Sequence, residues 1–106
     1  MNRTLIIARI TPGTEPAVAG VFAASDASLL PRDLGVRRRS LYALHDLYAH
    51  LVEFDGDARA AMRRAQRHPG FADVSARLQP YVRPYDPHWR GPEDAVAHPF
   101  YHWSAE

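Results

Sequence analysis

Cysteine is absent from this chain of 106 residues, and lysine is absent too, so all 13 residues counted as Lys or Arg are arginines. The first absence removes disulfides, thiolate nucleophiles, cysteine-ligated zinc and iron–sulfur clusters. The second removes a Schiff-base lysine and a covalently held pyridoxal cofactor. Strong charge is lacking as well: a formal net charge of +1 sets up no long-range field for nucleic acid. No apolar run is long enough to span a bilayer, and Arg9 interrupts the opening Leu5-Ile6-Ile7-Ala8 too soon for the apolar stretch of a secretory signal. The expectation is a soluble, cytoplasmic protein with neither nucleic-acid nor membrane partners. Its chemistry must come from His, Asp, Glu, Arg, Tyr and Ser.

What is present is a globular composition, 46% hydrophobic with both charge signs nearly balanced, at the length of one domain. Residues 1–106 are expected to form that single domain. Residues 4–10 alternate and are β-rich, ending at the turn Thr11-Pro12-Gly13. Thr14 is placed to cap a helix with Glu15 and Pro16 in its first turn, its buried stripe running Val18, Val21, Phe22, Ser25, Leu29, with Pro31 as its stop. Residues 58–66 read as a second helix, with Asp57 at its start and Ala61, Met62 and Ala65 as a narrow apolar stripe. His68-Pro69-Gly70 breaks it, and Phe71, Val74 and Leu78 continue as a further helix up to Pro80. Residues 81–85 are a short last strand, and the tail 86–106, with Trp89, Phe100, Tyr101 and Trp103, is expected to pack back on the domain.

Between the helices, residues 36–54 form two β-rich runs around His45-Asp46, which predicts a hairpin with those two residues as its turn. Leu44 then faces Leu47, Ala43 faces Tyr48, Leu41 faces His50 and Arg39 faces Val52. Arg37, Arg39, Leu41, Ala43, Tyr48, His50 and Val52 share one face; Ser40, Tyr42, Leu44, Leu47, Ala49 and Leu51 share the other, which is too apolar to leave in water. The order strand, helix, strand, strand, helix, strand predicts an α+β, ferredoxin-like βαββαβ fold, an antiparallel sheet with helices on one face. The apolar second face predicts a homodimer packed sheet against sheet.

Few constellations could carry chemistry. The triplet Arg37-Arg38-Arg39 alternates faces in a strand, so it is no continuous basic patch, and arginines at strand ends are commonly solvated. Arg39 differs because the pairing brings it to the His50 side. A lone mid-strand histidine is more often a satisfied core residue than a catalyst; beside Arg39 and Tyr48, His50 can line a cavity with a fixed cation and a phenol. Asp26, near the end of the first helix, is either a solvated carboxylate or a group at the mouth between helix and sheet. Metal binding is not expected despite six histidines: Pro99 breaks the helical spacing of His98 and His102, and His45 and His50 belong to a turn and a strand. Neither a Gly-rich phosphate loop nor a nucleophile elbow is present.

The segments Leu30-Pro31, Gly35-Val36-Arg37-Arg38-Arg39 and His45-Asp46-Leu47-Tyr48-Ala49-His50-Leu51-Val52-Glu53 resemble the tetracenomycin-type family of aromatic polyketide cyclases. His68-Pro69, Pro84-Tyr85, Trp89 and the tail Phe100-Tyr101-His102-Trp103-Ser104 extend the likeness over nearly the whole chain. The resemblance implies a homodimer of ferredoxin-like subunits, without a cofactor, that directs ring closure and dehydration of a poly-β-ketone made by a type II polyketide synthase. The partner is then an aromatic polyketide intermediate, joined by an acyl carrier protein if the substrate is carrier-bound. It implies Arg39, His50 and Asp26 as catalytic residues, with Arg39 stabilising an enolate, His50 shuttling the proton and Asp26 or Tyr48 assisting loss of water. Tyr48, Ser25, Phe22 and Trp103 would contact the substrate. Ser25 stands where some relatives have histidine. Two other readings share the fold: a cofactor-free monooxygenase acting on a polycyclic phenol, and a non-catalytic partner that shapes a synthase complex.

Overall fold

The structure, a computed structural model, describes residues 2–105, so the two ends of the expected 1–106 unit lie outside the described residues. Strand β1 (Arg3–Ile10) leads into helix α1 (Glu15–Asp26), the short helix α2 (Leu30–Leu34) and the hairpin β2 (Val36–Leu44) and β3 (Leu47–Phe54). Helices α3 (Ala58–Arg67) and α4 (Pro69–Leu78) follow, then β4 (Val82–Arg83) and a 3-10 turn at Pro92–Ala95. The four strands form one antiparallel sheet in the order β2-β3-β1-β4, the ferredoxin-like arrangement expected.

The alternation of the strands decides which side is buried. Thr4, Ala8 and Ile10 of β1 and Tyr48, His50, Val52 and Phe54 of β3 are buried on one face, against Val18 and Phe22 of α1, Ala58, Ala61 and Ala65 of α3 and Val74 of α4. Burying such apolar side chains stabilises the layer by about 1.5–3 kcal/mol each. The other face carries Leu5, Ile7, Leu47, Ala49 and Leu51, all half-buried, with Tyr42 and Leu44 59% and 63% exposed. His45 turns the hairpin with a left-handed φ of 54°, a conformation histidine tolerates better than branched residues do.

Several local expectations are corrected. Thr14 occupies the N-cap of α1, but its hydroxyl donates to the Thr11 carbonyl at 2.6 Å instead of capping the helix; Glu15 accepts from the Gly13 N–H. The first helix stops at Asp26, where Ser28 donates to the Ser25 carbonyl, and Leu29 is 65% exposed rather than on a buried stripe. Pro31 does not end that helix; it sits in the first turn of α2, where its missing N–H costs nothing. Helix α2 ends on Gly35 at φ 73°, a left-handed cap. Arg37 has no partner in the ladder, because a β-bulge between Val36 and Arg38 leaves it out of the pairing and gives Val36 the place opposite Phe54 expected for Arg37. Strand β4 is reduced to two residues, since Pro84 has no N–H to continue the ladder. The tail returns to the free edge of β1 at Val96 and Ala97, while Phe100, Tyr101 and Trp103 stay 99%, 80% and 71% exposed.

Candidate active site

The hairpin register places Leu41 opposite His50 and Arg39 opposite Val52, as its two-residue turn dictates. Arg39 and His50 are therefore diagonal neighbours on the helix-facing side, within reach of each other's long side chains. Helix α1 crosses above them with Phe22 and Asp26 four residues apart, hence on one face.

The side chains close into one cluster. The Nε of Arg39 donates to both carboxylate oxygens of Asp26 at 3.2 Å, and its Nη2 donates to Oδ1 at 3.0 Å. Its Nη1 lies 3.0 Å from Nε2 of His50, and its Cζ sits 4.9 Å from the centre of the Phe22 ring. The His50 ring packs edge-on against Phe22 at 5.2 Å and against Tyr48 at 6.3 Å. His50, Tyr48 and Phe22 are buried, and the Arg39 side chain is 15% exposed against 41% for Asp26. Asp26 thus marks the side from which water or a substrate reaches the cation.

Burial, and then the positive charge of Arg39, push His50 far below the ordinary imidazole range, to about 3. Burial raises Tyr48 above the ordinary phenol value, with Arg39 opposing it, so the phenol keeps its proton. The site holds one permanent cation, one neutral imidazole and one neutral phenol against a half-exposed carboxylate. Such a centre can bind and stabilise an anion, above all an oxygen that gains charge during reaction.

Of the residues expected from sequence, Arg39, His50, Asp26, Tyr48 and Phe22 come together here. Ser25 is half-buried on α1, and no hydrogen bond among the described residues joins its side chain to the cluster. Trp103 is not brought to it: the tail runs along β1, and the neighbouring His102 lies 3.4 Å from Arg3 at the start of that strand. A hollow of about 860 Å³ opens elsewhere, between the start of β1, helix α3 and the tail, lined among others by Arg3, Leu5, Met62 and Tyr101. It contains none of the five clustered residues, so its size does not make it the reaction centre. Among the described residues no group of three or more His, Asp or Glu is placed to hold a metal ion, and no helix is long and apolar enough to cross a membrane.

An antiparallel ferredoxin-like sheet covered on one face by helices, with a half-buried arginine anchored between them, defines the class of protein. The chain belongs to the polyketide synthesis cyclase family, whose model matches residues 2–104. It is 42% identical over 107 residues to the polyketide synthase CurG of Streptomyces cyaneus, covering all of both chains. It is 41% identical over 103 residues to tetracenomycin F2 cyclase of Streptomyces glaucescens, covering 97% of this chain and 94% of that one. The solved structure of the latter, a type-II polyketide cyclase, superposes with a TM-score of 0.91 at 40% identity over the whole of both chains.

The low value of His50 has a consequence for stability. An unfolded chain takes up a proton on this histidine below its ordinary value of 6.5, whereas the folded protein resists until about 3. The contribution of a neutral His50 is complete above 6.5 and is lost as pH falls towards 3. Urea unfolding at about pH 7.5 and about pH 4.5 is expected to show wild type losing up to ~1.4 kcal/mol per pH unit more than His50→Gln in this window. Equal losses in the two proteins would contradict it.

Proposed function

We propose that this protein is an aromatic polyketide cyclase that closes and dehydrates a ring of a poly-β-ketone intermediate in a type II polyketide synthase pathway. Family membership and the names of its relatives support the class of reaction. The anchored Arg39 is the observation that carries the mechanism. A methylene between two ketones is already acidic, so the catalyst must chiefly select one folded conformer and stabilise the enolate. In an apolar layer, the Arg39 guanidinium is worth far more to that enolate than it would be in water.

The enolate carbon attacks a distant ketone carbon, a C–C bond forms, and the ketone oxygen becomes a hydroxyl on taking up a proton. Loss of a neighbouring proton and of that hydroxyl as water gives the double bond that enolisation turns into an aromatic ring. Asp26 and Tyr48 would assist departure of water, the first as a carboxylate at the open side and the second as a neutral phenol. Phe22, with Ser25 beside it on α1, would contact the folding chain. Trp103 is not joined to the cluster within one chain, and it has no part in this scheme. The reaction is redox-neutral and needs no cofactor.

The half-buried apolar outer face, with Tyr42 and Leu44 exposed on it, supports a homodimer packed sheet against sheet. Leu47→Glu would place a charge in that interface. Sedimentation at micromolar concentration is expected to give a dimer for wild type and a monomer or unfolded chain for the variant; a monomeric wild type would defeat this part of the proposal.

Reconstitution with a minimal polyketide synthase tests the function. Adding the protein is expected to shift products to one ring pattern without oxygen uptake. Arg39→Lys, lacking the planar fork of donors, should lower turnover by roughly tenfold to a hundredfold while staying folded. Unchanged products with and without the protein would refute the reading, and stoichiometric oxygen consumption would mark a monooxygenase instead.

A further inference from the structure

A guanidinium has five N–H groups and no acceptor. The contact of 3.0 Å between Arg39 Nη1 and His50 Nε2 therefore has one possible sense: Arg39 donates and the Nε2 lone pair accepts. Nε2 carries no proton, and the hydrogen of the neutral ring is on Nδ1. This is the only basic lone pair that a neutral imidazole has, and it is already engaged by a cation. His50 is 7% exposed and its ring is held edge-on by Phe22 and Tyr48, which leaves it little freedom to turn toward a substrate.

The contact points to another role for His50 than the one the resemblance implied. On the reading of this protein as a cyclase, we propose that His50 is a positioning residue, the neutral acceptor that orients the Arg39 guanidinium, and that it does not take the substrate's proton.

The remaining geometry gives that role a purpose. Asp26 takes the Nε hydrogen and one on Nη2, and His50 takes one on Nη1, so three of the five are committed. One N–H is left on each Nη. Two donors on one rigid plane match the two oxygens of an enolised 1,3-diketone, over which the enolate charge is spread. When the methylene C–H bond breaks, its electron pair stays in that enolate and the proton passes to solvent water on the Asp26 side. The titratable and charged groups that face His50 are Arg39 from β2, Tyr48 on its own strand and, beyond Arg39, Asp26 from α1. Burial and the Arg39 charge hold the imidazole down to about 3, in keeping with a group that stays neutral throughout the working range.

Two side chains separate positioning from proton transfer, since neither can act as a base. Glutamine puts an amide oxygen near the place of Nε2, and asparagine puts one near the place of Nδ1. His50→Gln is expected to keep kcat within about fivefold of wild type with the same ring pattern, and His50→Asn to fall at least about tenfold. The kcat/KM profile of wild type should show no limb from an imidazole between about pH 5.5 and 8. Equal collapse of both folded variants, together with such a limb in wild type, would overturn the proposal. Two-bond proton–nitrogen spectra of ¹⁵N-histidine-labelled protein read the tautomer in the free enzyme, independently of turnover. The expected His50 signals are a protonated Nδ1 and an unprotonated Nε2 that do not move over that pH range; a protonated Nε2, or titration within the range, would refute it. If wild type closes no ring, the cyclase reading fails and the tautomer measurement still decides the Arg39–His50 contact.

Discussion

One charge organises the site, that of Arg39 placed between a β-sheet and the helix that covers it. A guanidinium with a 15% exposed side chain is costly unless its hydrogens find acceptors. Asp26 supplies one from α1, His50 supplies another from β3, and the Phe22 ring lies below the plane. Asp26 and Phe22 are held by α1 and His50 by β3, so the guanidinium is gripped from both layers. The cation is therefore fixed in position and direction before any substrate arrives, as catalysis by electrostatic stabilisation requires.

The hairpin makes this arrangement possible. A two-residue turn at His45-Asp46 locks the register, and a slip of β2 by one residue would send Arg39 to the outer face, away from His50, and turn Tyr42 and Leu44 inward. Arg9 reinforces the turn from the adjoining strand, its Nη1 2.8 Å from Asp46 and its guanidinium 4.4 Å above the Tyr85 ring. The same clamp ties the segment after β4 to the sheet, where Tyr85 and Trp89 pack together at 5.9 Å. Tyr85, 44% exposed, and the half-buried Trp89 thus brace the segment after β4, whereas Phe100, Tyr101 and Trp103 are left still more exposed.

The hairpin, its pairing and the split of its faces were legible in the sequence because a tight turn fixes each pair from Leu44–Leu47 as far as Arg38–Glu53. Arg39, His50 and Tyr48 followed from that count alone. Arg37 did not, since a bulge adds one residue without any mark in composition. Pro31 misled because proline can both end a helix and begin one, and the choice depends on what packs beneath Leu30 and Leu34. Trp103 was placed by likeness rather than by geometry, and the bridge of Val96 to Ile6 carries its segment along β1 instead. The sense of the Arg39–His50 hydrogen bond lay beyond any sequence argument. It needs the identity of the nitrogen that faces the guanidinium, and on the proposal above that contact makes an expected proton carrier an acceptor.

An anion held by Arg39 is the central claim, and a chromophoric aryl 1,3-diketone that cannot cyclise tests it without turnover. Its enolate absorbs apart from the neutral form, so a pH titration of the bound compound reads the stabilisation directly. The account predicts that the diketone ionises at a pH at least about one unit lower on wild-type protein than in free solution, and that most of this shift is lost on Arg39→Met, one unit being a tenfold preference for the anion. Binding of the neutral diketone with an unchanged or raised ionisation point would contradict it.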